Sequence, residues 1–231
     1  GEIGINKLAK KYSLGNKLRY FLQKNNLTRP KQRQDIDHNY FNKIDTEEKA
    51  YWLGFIFADG NISDYTNPKN HKYCLEITLS SNDKSHLELF KKHIGYEGEV
   101  TTRKVGKYEA CRISFSSKEL VLDLVKLGCT PRKSLTLKYP LGFIPKHLER
   151  HFIRGYFDGD GSVNIYSVKG CVRPKINLSI LGTEHFLNNM QEVFLRELEV
   201  TQGNLYSSES RGEVLEYKKA WKQAMEILHY I

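Results

Sequence analysis

Two segments of the chain carry the same pattern of apolar and small residues. They are residues 52–60 (WLGFIFADG) and residues 153–161 (IRGYFDGDG). Each predicts a largely apolar helix with small residues four positions apart and an Asp-Gly ending. A carboxylate in the last turn of a helix faces the negative end of the macrodipole, where a cation is favoured. Two aspartates at matched positions, Asp59 and Asp160, therefore indicate that positive charge lies beside them.

The offset of 101 residues between the two motifs continues along the chain. Alternating positions predict half-buried strands at residues 73–81 and 175–181, and a helical period follows each of them at 87–94 and 186–195. In the first half, two strand-like runs (98–105 and 108–115) are followed by a closing helix (118–127). In the second half, the two strand-like runs are 203–207 and 213–217, and the closing helix is 219–228. We predict an α+β fold made by tandem pseudo-twofold duplication of an α-β-β-α-β-β-α unit. Two unrelated stretches with chance similarity would not keep one offset for so long.

Small residues in the two motif helices predict that these helices cross closely. Helix backbones can approach where only hydrogen or methyl groups stand between them. The residues that we expect at the crossing are Gly54, Ala58, Gly155 and Gly159. Asp59 and Asp160 would then meet, and Gly60 and Gly161 would end the helices in the left-handed conformation. The alternative is a core helix pair whose aspartates only cap turns, but paired carboxylates repel unless they are protonated or bridged by a cation.

The charge balance favours a polyanionic partner. The 231 residues contain 36 Lys and Arg against 27 Asp and Glu, a net charge of +9, which favours nucleic acid over simple solubilisation. No apolar run approaches the ~18 residues that cross a bilayer, and no signal peptide is visible. The four cysteines lack metal-ligand spacing, which indicates reduced thiols. We expect an intracellular protein without a membrane partner, in the cytoplasm or nucleoid of a bacterial or phage system, with an organelle as the alternative.

The paired motifs and the elements after them resemble the LAGLIDADG homing endonucleases in their single-chain form. The resemblance covers about residues 45 to 231. It implies a DNA-binding saddle of antiparallel sheets and a divalent metal, Mg²⁺ with Mn²⁺ as substitute. The metal site that it implies comprises Asp59, Asp160, Gly60 and Gly161. Asp158 occupies the motif's earlier acidic position, which is not a metal ligand in the family, and the first copy has Phe57 there.

The resemblance also implies one basic residue per half near the water network. Lys133, in the segment GCTPRKSL, matches the family's Pro-x-Lys-Ser stretch, and a solvated loop lysine is the alternative. The same offset places its counterpart at position 234, beyond the last residue given, and Lys219 is a weaker substitute. Thr78 and Ser179 stand where the family has polar strand residues, although ordinary strand positions are the simpler interpretation.

Basic residues on the predicted strands and their loops form the expected DNA-binding set. Strands can read base edges in the major groove while alternation leaves one face free for polar side chains. The set is Lys69, Lys72, Arg103, Lys104, Lys107, Arg112, Lys169, Arg173, Lys175 and Arg211.

The predicted organisation has five segments. Residues 1–34 resemble a helix-turn-helix DNA-binding segment, with a basic helical hairpin packed on the core as the alternative. A linker (35–46), the first half (47–130), a connector (131–146) and the second half (147–231) follow, and both ends of the chain are expected to be truncated. The predicted function is sequence-specific, Mg²⁺-dependent cleavage of double-stranded DNA at a long target site by a monomer that acts as a pseudo-dimer. The alternatives are a non-cleaving regulator or RNA-splicing maturase of the same fold, and the endonuclease portion of an intein.

Overall fold

The computed structural model describes residues 15–25, 35–66, 72–167, 169–170, 172, 174–198, 200–207 and 214–231. The chain divides into two units, residues 1–34 and residues 35–231. The described part of the first unit is helix α1 (Gly15–Lys24). The other helix expected in this segment, together with Ala9 at its small-residue position, lies outside the described residues. No helix in the described ranges is long and apolar enough to cross a bilayer.

The second unit contains the same order of elements twice, which confirms the predicted duplication. The first copy comprises α2 (Glu47–Asp59), β1 (Gly60–Ile62), β2 (Cys74–Ser80), α3 (Lys84–His93), β3 (Thr101–Val105), β4 (Tyr108–Ser116) and α4 (Lys118–Lys126). The second comprises α5 (Glu149–Asp160), β5 (Gly161–Tyr166), β6 (Lys175–Gly182), α6 (Glu184–Glu197), β7 (Leu205–Ser207), β8 (Leu215–Ala220) and α7 (Trp221–Tyr230). The strand that directly follows each motif helix was not located by the hydrophobic pattern, because β1 is only three residues long and β5 is mostly exposed.

Side-chain caps define where several of these helices begin. The hydroxyl of Thr46 accepts a hydrogen bond from the backbone N–H of Lys49 at the start of α2. Ser117 caps α4 and Thr183 caps α6 in the same way. Each cap satisfies an N–H group that has no partner inside the helix, so these boundaries follow from local sequence.

The two sheets have the same topology but different registers. Their strand orders are β1-β2-β4-β3 and β5-β6-β8-β7, with antiparallel pairing throughout. Gly60 pairs with Ile77 in the first sheet, whereas Gly161 pairs with Ile180, two residues beyond the position that the repeat offset gives. A shift of two keeps every side chain on its original face. Both sheets therefore bury one face against the helices.

Residues 35–46 are part of the core, so the predicted linker is wrong. Ile36, Tyr40, Phe41 and Ile44 are buried in the hydrophobic cluster of the second unit. The backbone N–H of Asp37 also donates to the carbonyl of Ile94 at the end of α3. The polar residues between these apolar positions made the segment resemble a linker, and only the fold shows which of its side chains find the core.

Candidate active site

Helices α2 and α5 cross with their backbones in direct contact. A Cβ atom built on Gly54 would lie 1.9 Å from the carbonyl oxygen of Phe152, and one on Gly155 would lie 1.9 Å from that of Tyr51. Further along, a Cβ atom on Gly159 would lie 2.4 Å from the Cβ atom of Ala58. The structure thus places all four predicted small residues at the crossing, where no larger residue fits without separating the helices.

The two motif aspartates end the crossing helices at one cavity. Asp59 is the last residue of α2 and Asp160 the last of α5, and both line an open cavity of about 190 Å³. The Oδ2 atom of Asp59 would lie 2.9 Å from a Cβ atom on Gly159, so this carboxylate lies against the last turn of the other helix. Asp59 is exposed and Asp160 half-buried. Carboxylates from both halves therefore face one solvent-accessible space at the negative ends of two helix dipoles.

Gly60 and Gly161 are not left-handed, which corrects the expected helix ending. Their φ angles are −71° and −96°, and both residues begin a strand directly. The chain continues from helix into strand without a reversal, so no left-handed residue is needed. Both positions require glycine because there is no space for a side chain. A Cβ atom on Gly60 would lie 2.6 Å from the Ile56 carbonyl oxygen, and one on Gly161 would lie 2.2 Å from the Phe157 ring.

Lys133 supplies a positive charge at the end of α2. Its side chain is buried, and its ammonium group donates to the carbonyl oxygens of Ala58 at 3.1 Å and Gly60 at 2.5 Å. Lys133 also lines the cavity that contains the two aspartates. The lysine therefore covers the negative end of the α2 dipole, and it stands where the aspartate pattern predicts a cation.

Lys219 does not take the corresponding place in the second half. It lies in β8 rather than in a closing helix, and it pairs with Leu178 on the buried face of the sheet. Its ammonium group donates to the carbonyl of Thr201, and burial lowers its pKa. The predicted helix started too early because the alternation of buried and exposed positions in β8 covers few residues. The suggestion that Lys219 is the second-half counterpart of Lys133 is therefore wrong.

The donor set at the cavity is compatible with a hard divalent cation. Within the described residues, no group of three or more His, Cys, Asp or Glu side chains could hold a metal ion. Asp59 and Asp160 offer carboxylate oxygens only. Mg²⁺ is commonly bound through one or two carboxylates, with water and substrate phosphates completing its shell. The two aspartates could hold such an ion if a phosphate supplies further ligands.

Register divides the basic residues of the first sheet between its two faces. Arg112 pairs with Thr78, and Arg103 pairs with Ala110, which places both arginines on the face away from the core. Lys104 pairs with Glu109 and therefore points to the opposite side. Arg112 also forms a 2.8 Å ion pair with Glu76, and Lys107 lies over the ring of Tyr108 in the turn. The exposed Lys72 precedes β2.

The second sheet presents a basic residue that the sequence interpretation missed. Lys218 pairs with Ser179 on the outward face, forms a 2.9 Å ion pair with Glu216 and lies over the ring of Tyr206. Lys218 follows the buried Tyr217 in the strand, so the alternation of apolar and polar positions could have identified it as an outward-facing residue. Ser179 itself is buried and shares a 2.8 Å hydrogen bond with Ser162.

The remaining members of the predicted set are only partly described. Lys175 starts β6 opposite Tyr166, and the exposed Lys169 lies in the preceding turn. The members outside the described residues are Lys69, Arg173 and Arg211.

Comparison with solved structures shows the fold of the LAGLIDADG homing endonucleases. The chain aligns with the I-LtrWI LAGLIDADG homing endonuclease bound to target DNA, at 15% identity and a TM-score of 0.50, over 84% of this chain and 83% of that one. It aligns with the LAGLIDADG meganuclease I-CpaMI bound to uncleaved DNA, at 14% identity and a TM-score of 0.50, over 81% and 84%. The resemblance drawn from the motifs is confirmed as a likeness of fold.

Sequence comparison finds similar segments in three proteins of Methanocaldococcus jannaschii. The chain is 29% identical to a replication factor C small subunit over 133 residues and 29% identical to a DNA polymerase over 143 residues. It is 27% identical to a probable translation initiation factor IF-2 over 180 residues. These matches cover 55%, 54% and 75% of this chain, but only 7%, 8% and 13% of those proteins. No family model matches the chain.

Proposed function

We propose that the chain is a sequence-specific endonuclease that hydrolyses phosphodiester bonds in double-stranded DNA with divalent metal ions. One observation carries this proposal: two helices cross so tightly that their terminal aspartates, Asp59 and Asp160, line a single cavity together with Lys133. A protein that only binds nucleic acid has no chemical need for two neighbouring carboxylates. The fold and the DNA-bound state of the similar solved structures support the same conclusion.

Each residue at the cavity has a defined role in this proposal. Asp59 and Asp160 would hold Mg²⁺, for which Mn²⁺ would substitute, through carboxylate oxygens. The metal would neutralise charge on the attacked phosphate and lower the pKa of bound water. Lys133, fixed by the carbonyls of Ala58 and Gly60, would hold a positive charge beside the scissile phosphate. Because both helix ends would lie at the same duplex, each half of the chain would cleave one DNA strand.

The outward sheet faces are the proposed DNA-binding surfaces. Arg103 and Arg112 on the first sheet and Lys175 and Lys218 on the second would contact phosphates or base edges in the major groove. Two four-stranded sheets on one polypeptide suit a long target site read by a monomer. Lys104, which points to the other face, is expected to contribute little.

The test is cleavage of a plasmid library that carries randomised target sites. We expect the wild-type protein to linearise a subset of plasmids with Mg²⁺ or Mn²⁺ and to lose this activity with EDTA. Asp59→Asn and Asp160→Asn should each abolish cutting, whereas Asp83→Asn, an exposed aspartate before α3, should not. Persistent cleavage in both motif variants would show that these carboxylates do not hold the essential metal. Retention of specific fragments without any cutting would establish the non-cleaving binder instead.

A second candidate is an endonuclease segment carried inside larger proteins, as the endonuclease portion of an intein is. The three M. jannaschii relatives have unrelated named functions, yet each shares a segment that is at most 13% of its length. A segment common to such proteins is better explained by insertion than by a shared host function. Antibodies against residues 35–231 would distinguish the cases in a pulse-chase experiment. Release of this segment from a larger precursor supports the insertion, and direct synthesis of a separate chain excludes it.

A further inference from the structure

The backbone crossing of α2 and α5 is symmetric, but its two flanks differ chemically. The repeat offset relates Tyr51 to Phe152 and Phe57 to Asp158. On one flank the rings of Phe57 and Phe152 lie 5.3 Å apart, and the ring of Tyr139 from the connector packs on Phe152 at 5.4 Å. On the other flank, the hydroxyl of Tyr51 donates to Oδ2 of Asp158 at 2.6 Å. Equivalent positions thus form an aromatic contact on one side and a hydrogen bond on the other.

The polar flank forms a short chain of hydrogen bonds that ends at Asp158. Nε2 of His86 lies 3.2 Å from the Tyr51 hydroxyl. Because a phenol has one proton and Tyr51 gives it to Asp158, the imidazole must donate from Nε2. Burial and the bond to Asp158 raise the pKa of Tyr51, so the phenol stays protonated, and burial lowers the pKa of His86. The Arg154 guanidinium lies 5.1 Å over the Tyr51 ring.

The last turn of α5 needs such an anchor more than the last turn of α2. It contains Gly159, where α2 has Ala58, and glycine is the poorer helix former. It also carries two carboxylates, Asp158 and Asp160, at the negative end of its dipole, where α2 carries one. The end of α2 is held by the Lys133 ammonium group on its carbonyls.

We propose that Asp158 is a positioning residue. Held by the Tyr51 hydroxyl, it fixes the last turn of α5 and thereby the carboxylate of Asp160, two residues further on. Asp59 is held independently, by Lys133 and the aromatic flank. The anchoring itself depends only on these contacts, whereas its consequence for cleavage rests on the proposed function.

Hydrogen exchange measured by mass spectrometry tests the anchoring without reference to activity. In Tyr51→Phe, which keeps the ring and removes the hydroxyl, we expect amides 157–161 to exchange about tenfold faster, the factor appropriate to a hydrogen bond to a charged group. Amides 56–60 should exchange as in the wild type. Asp158→Asn should exchange at a rate between those of the wild type and Tyr51→Phe, because its amide oxygen still accepts from Tyr51 but the bond no longer involves a charged group. Unchanged exchange at both helix ends, or equal acceleration at both, would overturn the proposal.

A matched control separates this effect from the general loss of a tyrosine hydroxyl. Tyr96→Phe removes a buried hydroxyl that donates to the carbonyl of Ser114 at 3.3 Å, away from the crossing, and should leave both helix ends unchanged. If the protein cleaves DNA, Tyr51→Phe should accumulate nicked plasmid cut predominantly in one strand, with unchanged affinity for DNA. Equally slow cleavage of both strands would refute the prediction that Tyr51→Phe impairs one strand more than the other. Absence of any wild-type cleavage would refute the proposed function, and the exchange result would still decide the anchoring.

Discussion

Replacing Gly54 with alanine tests whether the two motif helices cross as closely as the structure indicates. The added Cβ atom would lie 1.9 Å from the carbonyl oxygen of Phe152 and 2.8 Å from the backbone nitrogen of Tyr156. Both obstacles are backbone atoms of α5 and cannot rotate away. Because real Cβ atoms essentially never approach other heavy atoms within 3.0 Å, the helices would have to separate by roughly 1 Å.

The expected net loss of stability is about 2 kcal/mol. Overpacking of a well-packed contact costs about 1 to 3 kcal/mol, and a backbone obstacle indicates the upper end of that range. Alanine recovers about 1 kcal/mol relative to glycine inside a helix. For a folded unit of this size, each kcal/mol corresponds to roughly 2 to 4 °C in Tm, so Tm should fall by roughly 4 to 8 °C.

Thermal unfolding followed by circular dichroism or calorimetry measures this effect. Gly155→Ala should give a similar loss, because its Cβ atom would meet the Tyr51 carbonyl oxygen at the same 1.9 Å. The double variant should lose less than the sum of the two, since one separation of the helices relieves both clashes. A Tm that rises in Gly54→Ala would mean that helix propensity dominates and that the backbones do not touch there.

Two further predictions concern the lysine at the end of α2 and the imidazole on the polar flank. Lys133→Met should cost about 2 kcal/mol in urea unfolding, because the charge-assisted hydrogen bonds to Ala58 and Gly60 are lost, and an unchanged midpoint would contradict the capping role. Burial lowers the folded-state pKa of His86, so its stabilising contribution is complete above its unfolded pKa of about 6.5 and is lost as pH falls through that value toward the folded pKa. The urea midpoint of the wild-type protein should therefore decrease as the pH is lowered from 7.5 to 5. The midpoint of His86→Gln should decrease less over the same range. Parallel pH profiles for the two proteins would refute the assignment to His86.

Much of the architecture was predictable because its signals are local or strictly repeated. The offset of 101 residues and the small residues at Gly54 and Gly155 depend only on spacing or on neighbouring positions. A helix with glycine four residues before a small residue can approach another helix closely in almost any fold. The duplication, the crossing and the meeting of Asp59 with Asp160 at one cavity therefore followed from the sequence.

Features that depend on pairing between distant segments were not predictable. Arg103 and Lys104 are adjacent and similar in charge, yet only the pairing of β3 with β4 determines which of them lies on the outward face. Lys219 was assigned to a helix because nothing in its immediate neighbours shows that it pairs with Leu178.

The sequence alone determined that this protein contains two matching helices, each ending in an aspartate, on a basic chain. Tertiary structure decided how each helix end is held. Lys133 reaches the carbonyls of α2 across more than 70 residues, and Tyr51 reaches Asp158 across 107. Local periodicity reports which face of a helix is buried, whereas the partner of a polar side chain depends on which segments the whole fold brings together. The two ends of a symmetric crossing are therefore stabilised by different chemistry.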